Sequence, residues 1–400
     1  MLVAIALLAF SARRVLFLFA ALPSPPSNPS ADLRSDSLPP SVLLLLPCRN
    51  EARSLPTLLT SIEQLNYPPE RLTAVIVDDG SSDETAHVAR AWADGKAWAH
   101  LLSLPANLGK PAALNEGLAY FPDGDLIAVY DCDCRPSPDS LLTLVRAFDD
   151  PRVGAANGFL LALNSLASLA AYYASVEHLV HQRITSVAKD RLNLAPAILG
   201  SNCLYRREAL KAAGYFRTGL LLEDSNLTLG LALVGYRTRF IASAVAYTSV
   251  PQSLAGYWEQ HIRWARGFQQ VAGLQARAIW IDSRLTLPMR LELLAFALGY
   301  ADRLALLGAG TLTVLDWVWP GLTGFPVWLW PVYFGLALAQ IIFALALSPR
   351  KSPARMYLYV IAVPFFFVLD VSMAAWSALQ ALLHRPARWT VTERPLAQTS

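Results

Sequence analysis

Two aspartates one residue apart, Asp131-Cys132-Asp133, follow directly on the apolar run Leu126 to Tyr130. If that run is a strand, the chain leaves the sheet edge with two carboxylates close in space. Two hard oxygen ligands suit Mg²⁺ or Mn²⁺ bridging a diphosphate, and a departing diphosphate develops negative charge that such a cation neutralises. The same spacing also serves merely to cap a loop. A second acidic segment, Asp78-Asp79-Gly80-Ser81-Ser82-Asp83, ends another apolar run, Ala74 to Val77. Adjacent acids there can accept hydrogen bonds from a uracil ring or ribose hydroxyls, and Gly80 lets the backbone turn close to a ligand. A capped turn is the competing reading. Both hold together if Asp83 caps while Asp78 and Asp79 bind.

Further polar residues fall at equivalent places. Pro47-Cys48-Arg49-Asn50-Glu51 closes the run Val42 to Pro47 and points Asn50 and Glu51 at the same crevice. Asn107-Leu108-Gly109-Lys110, with Asn115, offers amides and a cation near the phosphates. Lys110 is a point charge suited to phosphate, though a lone lysine at a helix start is also an ordinary solvated one. Glu223 and Asp224 open a later helical segment, where acids also stabilise the helix dipole.

The elements that must position these groups alternate short apolar strands with helical stretches from Val42 to about Thr248, the pattern of an α/β sheet. Ser54 is expected to cap a helix through Leu58, Leu59, Ile62 and Leu65, and Asp83 with Glu84 to open one running to Ala93. Ligand loops then lie at the carboxyl ends of the strands. A helical stretch over 165–190 carries Tyr172, Tyr173, His178 and His181, either lining an acceptor path or packing. No repeat of solenoid length is present.

Composition adds a membrane. The 400 residues are 54 % hydrophobic and 16 % charged, too apolar for an ordinary soluble enzyme. The net charge of +3 is not gathered into basic runs, which gives no reason to expect a nucleic-acid partner. Cys48, Cys132, Cys134 and Cys203 show neither zinc spacing nor a disulfide framework, and read as reduced thiols, with Cys132 and Cys134 turned into the core.

Residues 1–22 are apolar except for Arg13 and Arg14, which cost about 2.5–3.5 kcal/mol each at the centre of a span, so a weak N-terminal anchor is expected. Residues 23–40 are rich in proline and serine and suit a tether to a catalytic domain over 41–280. A membrane domain over 287–385 has apolar stretches at about 291–318, 324–347 and 356–383, and a tail of 386–400 follows. Trp317, Trp319, Trp328, Trp330 and Tyr357 crowd the ends of those stretches, as interfacial belts do. Arg350, Lys351 and Arg355 place one connection on the cytoplasmic side. Three full crossings would then put Arg385, Arg388 and Arg394 outside, against the positive-inside tendency. The stretch carrying Asp302 and Arg303 is therefore the one expected to be interfacial or buried against the enzyme.

In order and spacing, the loops of residues 42–270 resemble those of the family 2 glycosyltransferases of GT-A fold. Gly200-Ser201-Asn202 is similar to the family's acceptor-side loop, and Leu222-Glu223-Asp224 stands in place of its Thr-Glu-Asp, with leucine for threonine. Gln260-His261-Ile262-Arg263-Trp264 resembles the Gln-x-x-Arg-Trp of the membrane-embedded branch that includes cellulose, hyaluronan and poly-N-acetylglucosamine synthases. Arg388-Trp389-Thr390-Val391-Thr392 is similar to the element after the last membrane segment of those synthases.

The resemblance implies an α/β, Rossmann-like GT-A catalytic domain with α-helical transmembrane segments. It implies Asp224 as catalytic base, Asp131 and Asp133 as ligands of Mg²⁺ or Mn²⁺, and contacts to substrates from Asn50, Glu51, Asp78, Asp79, Lys110, Asp131, Glu223, Gln260, Arg263 and Trp264. Arg263 can pair a diphosphate and Trp264 can stack on a sugar ring. The reaction expected is inverting transfer from a UDP-sugar to a polysaccharide or lipid, by a multi-pass protein of the cell membrane with its catalytic domain in the cytoplasm. Few membrane segments leave little wall for a conduit, so processive extrusion would call for a homo-oligomer or an accessory export subunit. Single-step transfer to a lipid, similar to ceramide glucosyltransferases, is the rival within enzymes. A nucleotide-binding membrane protein without chemistry would carry few acids at its strand ends.

Overall fold

The protein is described by a computed structural model over residues 1–23, 38–348 and 353–386. Most of the expected tether, Arg350, Lys351, and the tail from Arg388 through Arg394 lie outside the described residues.

The chain begins with α1 (Leu2–Ala21) and then enters the sheet through β1 (Val42–Cys48), α2 (Leu55–Glu63), β2 (Leu72–Asp78), α3 (Thr85–Ala93) and β3 (Ala99–Ser103). There follow α4 (Lys110–Tyr120), β4 (Leu126–Val129), the short β5 (Arg135–Pro136), α5 (Ser140–Val145) and β6 (Val153–Ala162). A long helical stretch comes next: α6 (Leu169–Val180), a π-helical segment His181–Ser186, and α7 (Val187–Arg191). β7 (Cys203–Arg206), α8 (Arg207–Ala212), α9 (Glu223–Leu233) and β8 (Arg237–Thr248) complete the sheet. Beyond it run α10 (Leu254–Ile281), α11 (Leu287–Ala297), α12 (Ala301–Val318), α13 (Leu329–Ala346), α14 (Ala354–Leu358) and α15 (Val363–Leu382).

The eight strands form one mixed sheet in the order β3-β2-β1-β4-β7-β6-β8-β5. β1, β2, β3 and β4 run parallel, and β7 pairs antiparallel with β4 and β6. β1 reads as an unbroken apolar run because both its faces are covered: Leu44 and Leu46 belong to one core cluster, Leu43 and Leu45 to the other. The register sets Cys48 beside Asp78 and Leu45 beside Val129, so β1, β2 and β4 deliver their following loops to one end of the sheet. The chain direction reverses its progress across the sheet between β1 and β4, the place where open α/β sheets bind ligands.

All four cysteines are buried and free, with Cys132 and Cys134 in the same core cluster as β1. Ser54 differs from the capping expectation: it occupies the position before α2 but its hydroxyl makes no cap bond. That hydroxyl is turned towards Glu51, to whose carboxylate it donates. At α3 the cap position falls on Glu84, which makes no side-chain cap bond, while Asp83, one residue earlier, accepts from the Thr85 amide at 3.0 Å.

Among the described residues three helices are long and apolar enough to cross a membrane, Leu2–Ala21, Leu329–Ala346 and Ala354–Leu382, or four if the bent pair Leu287–Ala297 and Ala301–Val318 counts as one. That pair turns by 75° just before Asp302 and Arg303, so the first C-terminal stretch is no straight span. Both arginines of α1 have partners. Arg13 makes a two-pronged pair with Glu292 (2.8 and 2.6 Å), and Arg14 donates to the Tyr333 hydroxyl at 2.8 Å with Asp302 at 3.7 Å. Paired in this way, two charges inside an apolar helix cost far less than isolated ones.

Candidate active site

The loops after β1 and β2 are stapled to each other by the polar residues the sequence singles out. Asn50 donates its amide to Ser81 Oγ (3.0 Å) and accepts from the Ser82 amide (2.8 Å), while Glu51 donates its amide to Thr85 Oγ1 at 2.8 Å. Asp78 accepts from the Ser81 amide at 3.1 Å. Asp79 receives the amides of Leu108 and Gly109 on its two oxygens, at 2.7 and 2.8 Å. Both acids are 4 % exposed. Gly80, at φ +66°, lies so close to the next loop that a Cβ there would sit 2.7 Å from the carbonyl carbon of Ala106. Asp79 thus grips the backbone just ahead of Lys110, the first residue of α4.

Lys110 is the hub. Its Nζ donates to Asp131 Oδ1 at 2.6 Å and to the Gly200 carbonyl at 3.0 Å, and stands 3.8 Å from Glu223 Oε1. Burial works against its charge, yet Asp131, Glu223 and Asp224 together hold its pKa above the ordinary lysine value. Asp224 completes the group: a Cβ on Gly200, which has φ +73°, would lie 2.9 Å from Asp224 Oδ2 and 3.4 Å from Lys110 Nζ. Burial first, then the neighbouring Glu223, push Asp224 up to about 7, with Lys110 pulling the other way. The structure therefore brings Lys110, Asp131, Glu223 and Asp224 to one place, with part of each side chain open to the crevice.

Gly200→Ala tests how tight that place is. The added methyl meets Asp224 and must also adopt a backbone conformation that costs an L residue about 1 kcal/mol or more. The expected result is a drop in turnover of at least about tenfold with donor binding little changed, read from initial rates and a nucleotide titration.

Asp131 and Asp133 sit on either side of buried Cys132, both half-buried. Asp131 gives one oxygen to Lys110, and Asp133 Oδ2 accepts from Thr248 Oγ1 at 3.0 Å. Among the described residues no three histidine, cysteine, aspartate or glutamate side chains form a metal cage. Two carboxylates at a crevice mouth nevertheless fit Mg²⁺ or Mn²⁺, which are commonly held by one or two carboxylates and completed by phosphate oxygens and water.

The Gln260 segment lies on α10, whose start is capped by Ser253 accepting from the Gly256 amide at 3.0 Å. α10 braces the acid pair from behind: Gly267 packs so closely that its Cβ would stand 2.4 Å from Leu222 Cγ, one residue before Glu223. Gln270 accepts from the Leu221 amide at 3.1 Å and Gln275 donates to Asn226 at 3.0 Å. Gln260 is only 2 % exposed, and its side-chain oxygen has no hydrogen-bond partner among the described residues. Arg263 and Trp264 are half-buried, and the Trp264 ring stands 4.9 Å from His261 and 6.2 Å from His178. His261 was passed over in the sequence. Its partner Glu177 lies 84 residues earlier, and no local spacing signals that pair.

Known proteins share this frame. Residues 126–369 match the model of glycosyl transferase family group 2, and residues 39–103 match that of the glycosyltransferase family 25 N-terminal domain. The chain is 30 % identical over 236 residues to YdaM of Bacillus subtilis (strain 168), named as a glycosyltransferase, covering 58 % of this chain and 56 % of that protein. It is 29 % identical over 234 residues to the poly-β-1,6-N-acetyl-D-glucosamine synthase of Staphylococcus epidermidis, covering 58 % and 55 %. These matches span about half the length of the curated relatives. A mannosyltransferase from Pyrobaculum calidifontis, solved with GDP-Man and Mn²⁺, superposes with a TM-score of 0.66 at 25 % identity over 96 % of this chain and 99 % of that one. With the family model matching more than half of the chain, the chain belongs to glycosyl transferase family group 2 and has the GT-A fold.

Proposed function

We propose that the chain is a membrane-bound, inverting glycosyltransferase that moves a sugar from a nucleotide donor, a UDP-sugar by first expectation, to a polysaccharide or lipid, with Asp224 as its base. The observation that carries this reading is the position and acidity of Asp224: pushed up to about 7, within a cluster that also holds a cation, at the ligand end of the sheet. A carboxylate of that acidity is well matched to accepting a proton near neutral pH.

In the proposed step the acceptor hydroxyl gives its proton to Asp224 as its oxygen bonds to the anomeric carbon. The bond from that carbon to the diphosphate oxygen breaks, and the diphosphate leaves with the electron pair. Lys110 would supply positive charge to the leaving diphosphate. Asp131 and Asp133 would hold Mg²⁺ or Mn²⁺, which supplies further neutralisation of that charge when bound. Asn50, Glu51 and Asp78 shape the nucleoside end of the crevice, and Asp79 acts by fixing the Leu108–Gly109 amides. Glu223 tunes Asp224, Arg263 pairs with the diphosphate and Trp264 stacks on a sugar. The mannosyltransferase solved with GDP-Man and Mn²⁺ and the relatives named poly-β-1,6-N-acetyl-D-glucosamine synthase support a nucleotide-sugar donor, a divalent ion and a glycan acceptor. The apolar helices support a multi-pass place in a membrane; the cell membrane and a cytoplasmic sheet domain are part of the proposal.

Single transfer to a lipid is the second reading. It is favoured by the few apolar helices among the described residues, three or four, which leave one chain little wall for a polymer conduit. Product length on labelled donor separates the two. A homo-oligomer or an export subunit is needed only for the first.

The test is release of nucleoside diphosphate from a panel of UDP- and GDP-sugars by the full chain in nanodiscs, with Mg²⁺, with Mn²⁺ and with chelator. One donor should be turned over, with loss of rate on chelation and recovery on adding back the ion. No release from any donor contradicts the function. Full turnover in chelator contradicts the metal role alone.

A further inference from the structure

Where α10 meets the membrane helices, a group of ionisable side chains lies buried that the reaction does not use. His261 is 1 % exposed. Its Nδ1 stands 2.9 Å from the Tyr257 carbonyl oxygen and its Nε2 2.8 Å from Glu177 Oε2. A carbonyl and a carboxylate only accept, so both ring nitrogens donate and the ring is an imidazolium. Burial opposes that charge, but Glu177, Asp370 and the Tyr257 carbonyl raise the pKa of His261 above the usual histidine value. Burial likewise opposes ionisation of Glu177, and the charges of His261 and Arg303 hold it low, at about 2.

His261 itself meets Glu177 of α6 and Tyr257 and Trp264 of α10; around these partners stand Tyr173 and His178 of α6, Tyr300 just before α12, Arg303 on α12 and Asp370 on α15. The Tyr257 hydroxyl lies 2.8 Å from Asp370 Oδ1 and 3.2 Å from Glu177 Oε2, and the Tyr173 hydroxyl donates to Asp370 Oδ2 at 3.1 Å. Asp370 is 1 % exposed within the apolar stretch Ala354–Leu382. An acid so placed in a membrane helix is expensive and marks a specific role. Arg303 also pairs with Asp302, which Arg14 balances. With both acids ionised, Glu177 and Asp370 are balanced by Arg303 and a charged His261.

Tyr257 and His261 are four residues apart and share one face of α10, and Trp264 follows one turn later with its ring 4.9 Å from the imidazolium. A cation at that distance attracts an indole ring. We propose that His261 is a positioning residue for sugar transfer: through Glu177, Tyr257 and Asp370 it ties α10 to membrane helix α15, and its charge holds Trp264 in the pose that receives the acceptor. This rests on the reading of α10 as a wall of the transfer site.

The test uses the full chain in nanodiscs with the donor found above, and compares wild type with His261→Gln, Glu177→Gln and the double variant. His261→Gln should lower the kcat of transfer about ten- to a hundredfold, the loss expected for a charge-assisted hydrogen bond, with the Kd for nucleoside diphosphate within about twofold. The double variant, an uncharged amide pair, should recover part of that loss. Wild-type turnover should fall at alkaline pH as the imidazolium gives up its proton, and this limb should vanish in His261→Gln. Should His261→Gln fail to fold, Tyr257→Phe, which removes only the hydroxyl shared by Asp370 and Glu177, should show the same split of kcat from nucleotide affinity. Wild-type kcat in these variants, or nucleotide binding lost together with transfer, overturns the proposal. Asp224→Asn run alongside separates the two ideas: if it is inactive while His261→Gln is fully active, only the positioning role falls, and if Asp224→Asn is as active as wild type, the underlying reading falls.

Discussion

Asp224→Asn is expected to reduce sugar transfer about 10²–10⁴-fold, the range for removing a general base, while the affinity for nucleoside diphosphate stays within about twofold. Asparagine keeps the shape of the side chain beside Gly200 and Lys110 but cannot take a proton. The role proposed for Asp224 requires its carboxylate form, so with Asp224 pushed up to about 7 the wild-type rate should rise with pH through that region. Below it the acid is protonated, and the acceptor hydroxyl has no base. Residual activity of the variant should show no such rise. The measurement is kcat against pH, with a nucleotide titration at each end. A variant that keeps wild-type kcat removes Asp224 from the chemistry.

Lys110→Met should have the second largest effect. One ammonium serves Asp131 at 2.6 Å and Glu223 at 3.8 Å, and it is the largest influence opposing the rise at Asp224. Without it three carboxylates face one another, and the acid limb of the pH profile moves further to the alkaline side. Breaking a buried pair costs about 3–5 kcal/mol, and the part of Lys110 left open to solvent brings the expected loss of stability nearer 1–3 kcal/mol. Transfer should fall at least about a hundredfold at neutral pH, because the proposed base is shifted to its protonated form and the proposed phosphate contact is removed at the same time. Lys110→Arg keeps the charge, though not the compact ammonium, and should recover part of the rate but not all. An unshifted acid limb in Lys110→Met would show that Lys110 does not tune Asp224.

What could be read from the sequence follows from how local each signal is. β1, β2 and β4 are legible because strands buried on both faces are unbroken apolar runs, and the loops after them carry their acids within a few residues. The later strand β8 has exposed and half-buried positions mixed with buried ones and gives no such run. Contacts distant in sequence were not legible. Lys110 meets Asp131 and Gly200, 21 and 90 residues on, and Arg13 meets Glu292, 279 residues on. Residue type does not fix environment either: Gln260 is polar yet buried, and both oxygens of Asp79 go to backbone amides. Asp302 and Arg303 did mark the bent membrane stretch, since a charge pair inside an apolar run is costly wherever it lies.

The proposal that one carboxylate base drives a single displacement is tested most directly by the anomeric configuration of the product. With an α-linked nucleotide sugar as donor, the first-formed product, whether with native acceptor or with water, should carry the β configuration in its NMR spectrum. A first-formed α product would require two displacements or attack from the same face, and would contradict the role assigned to Asp224.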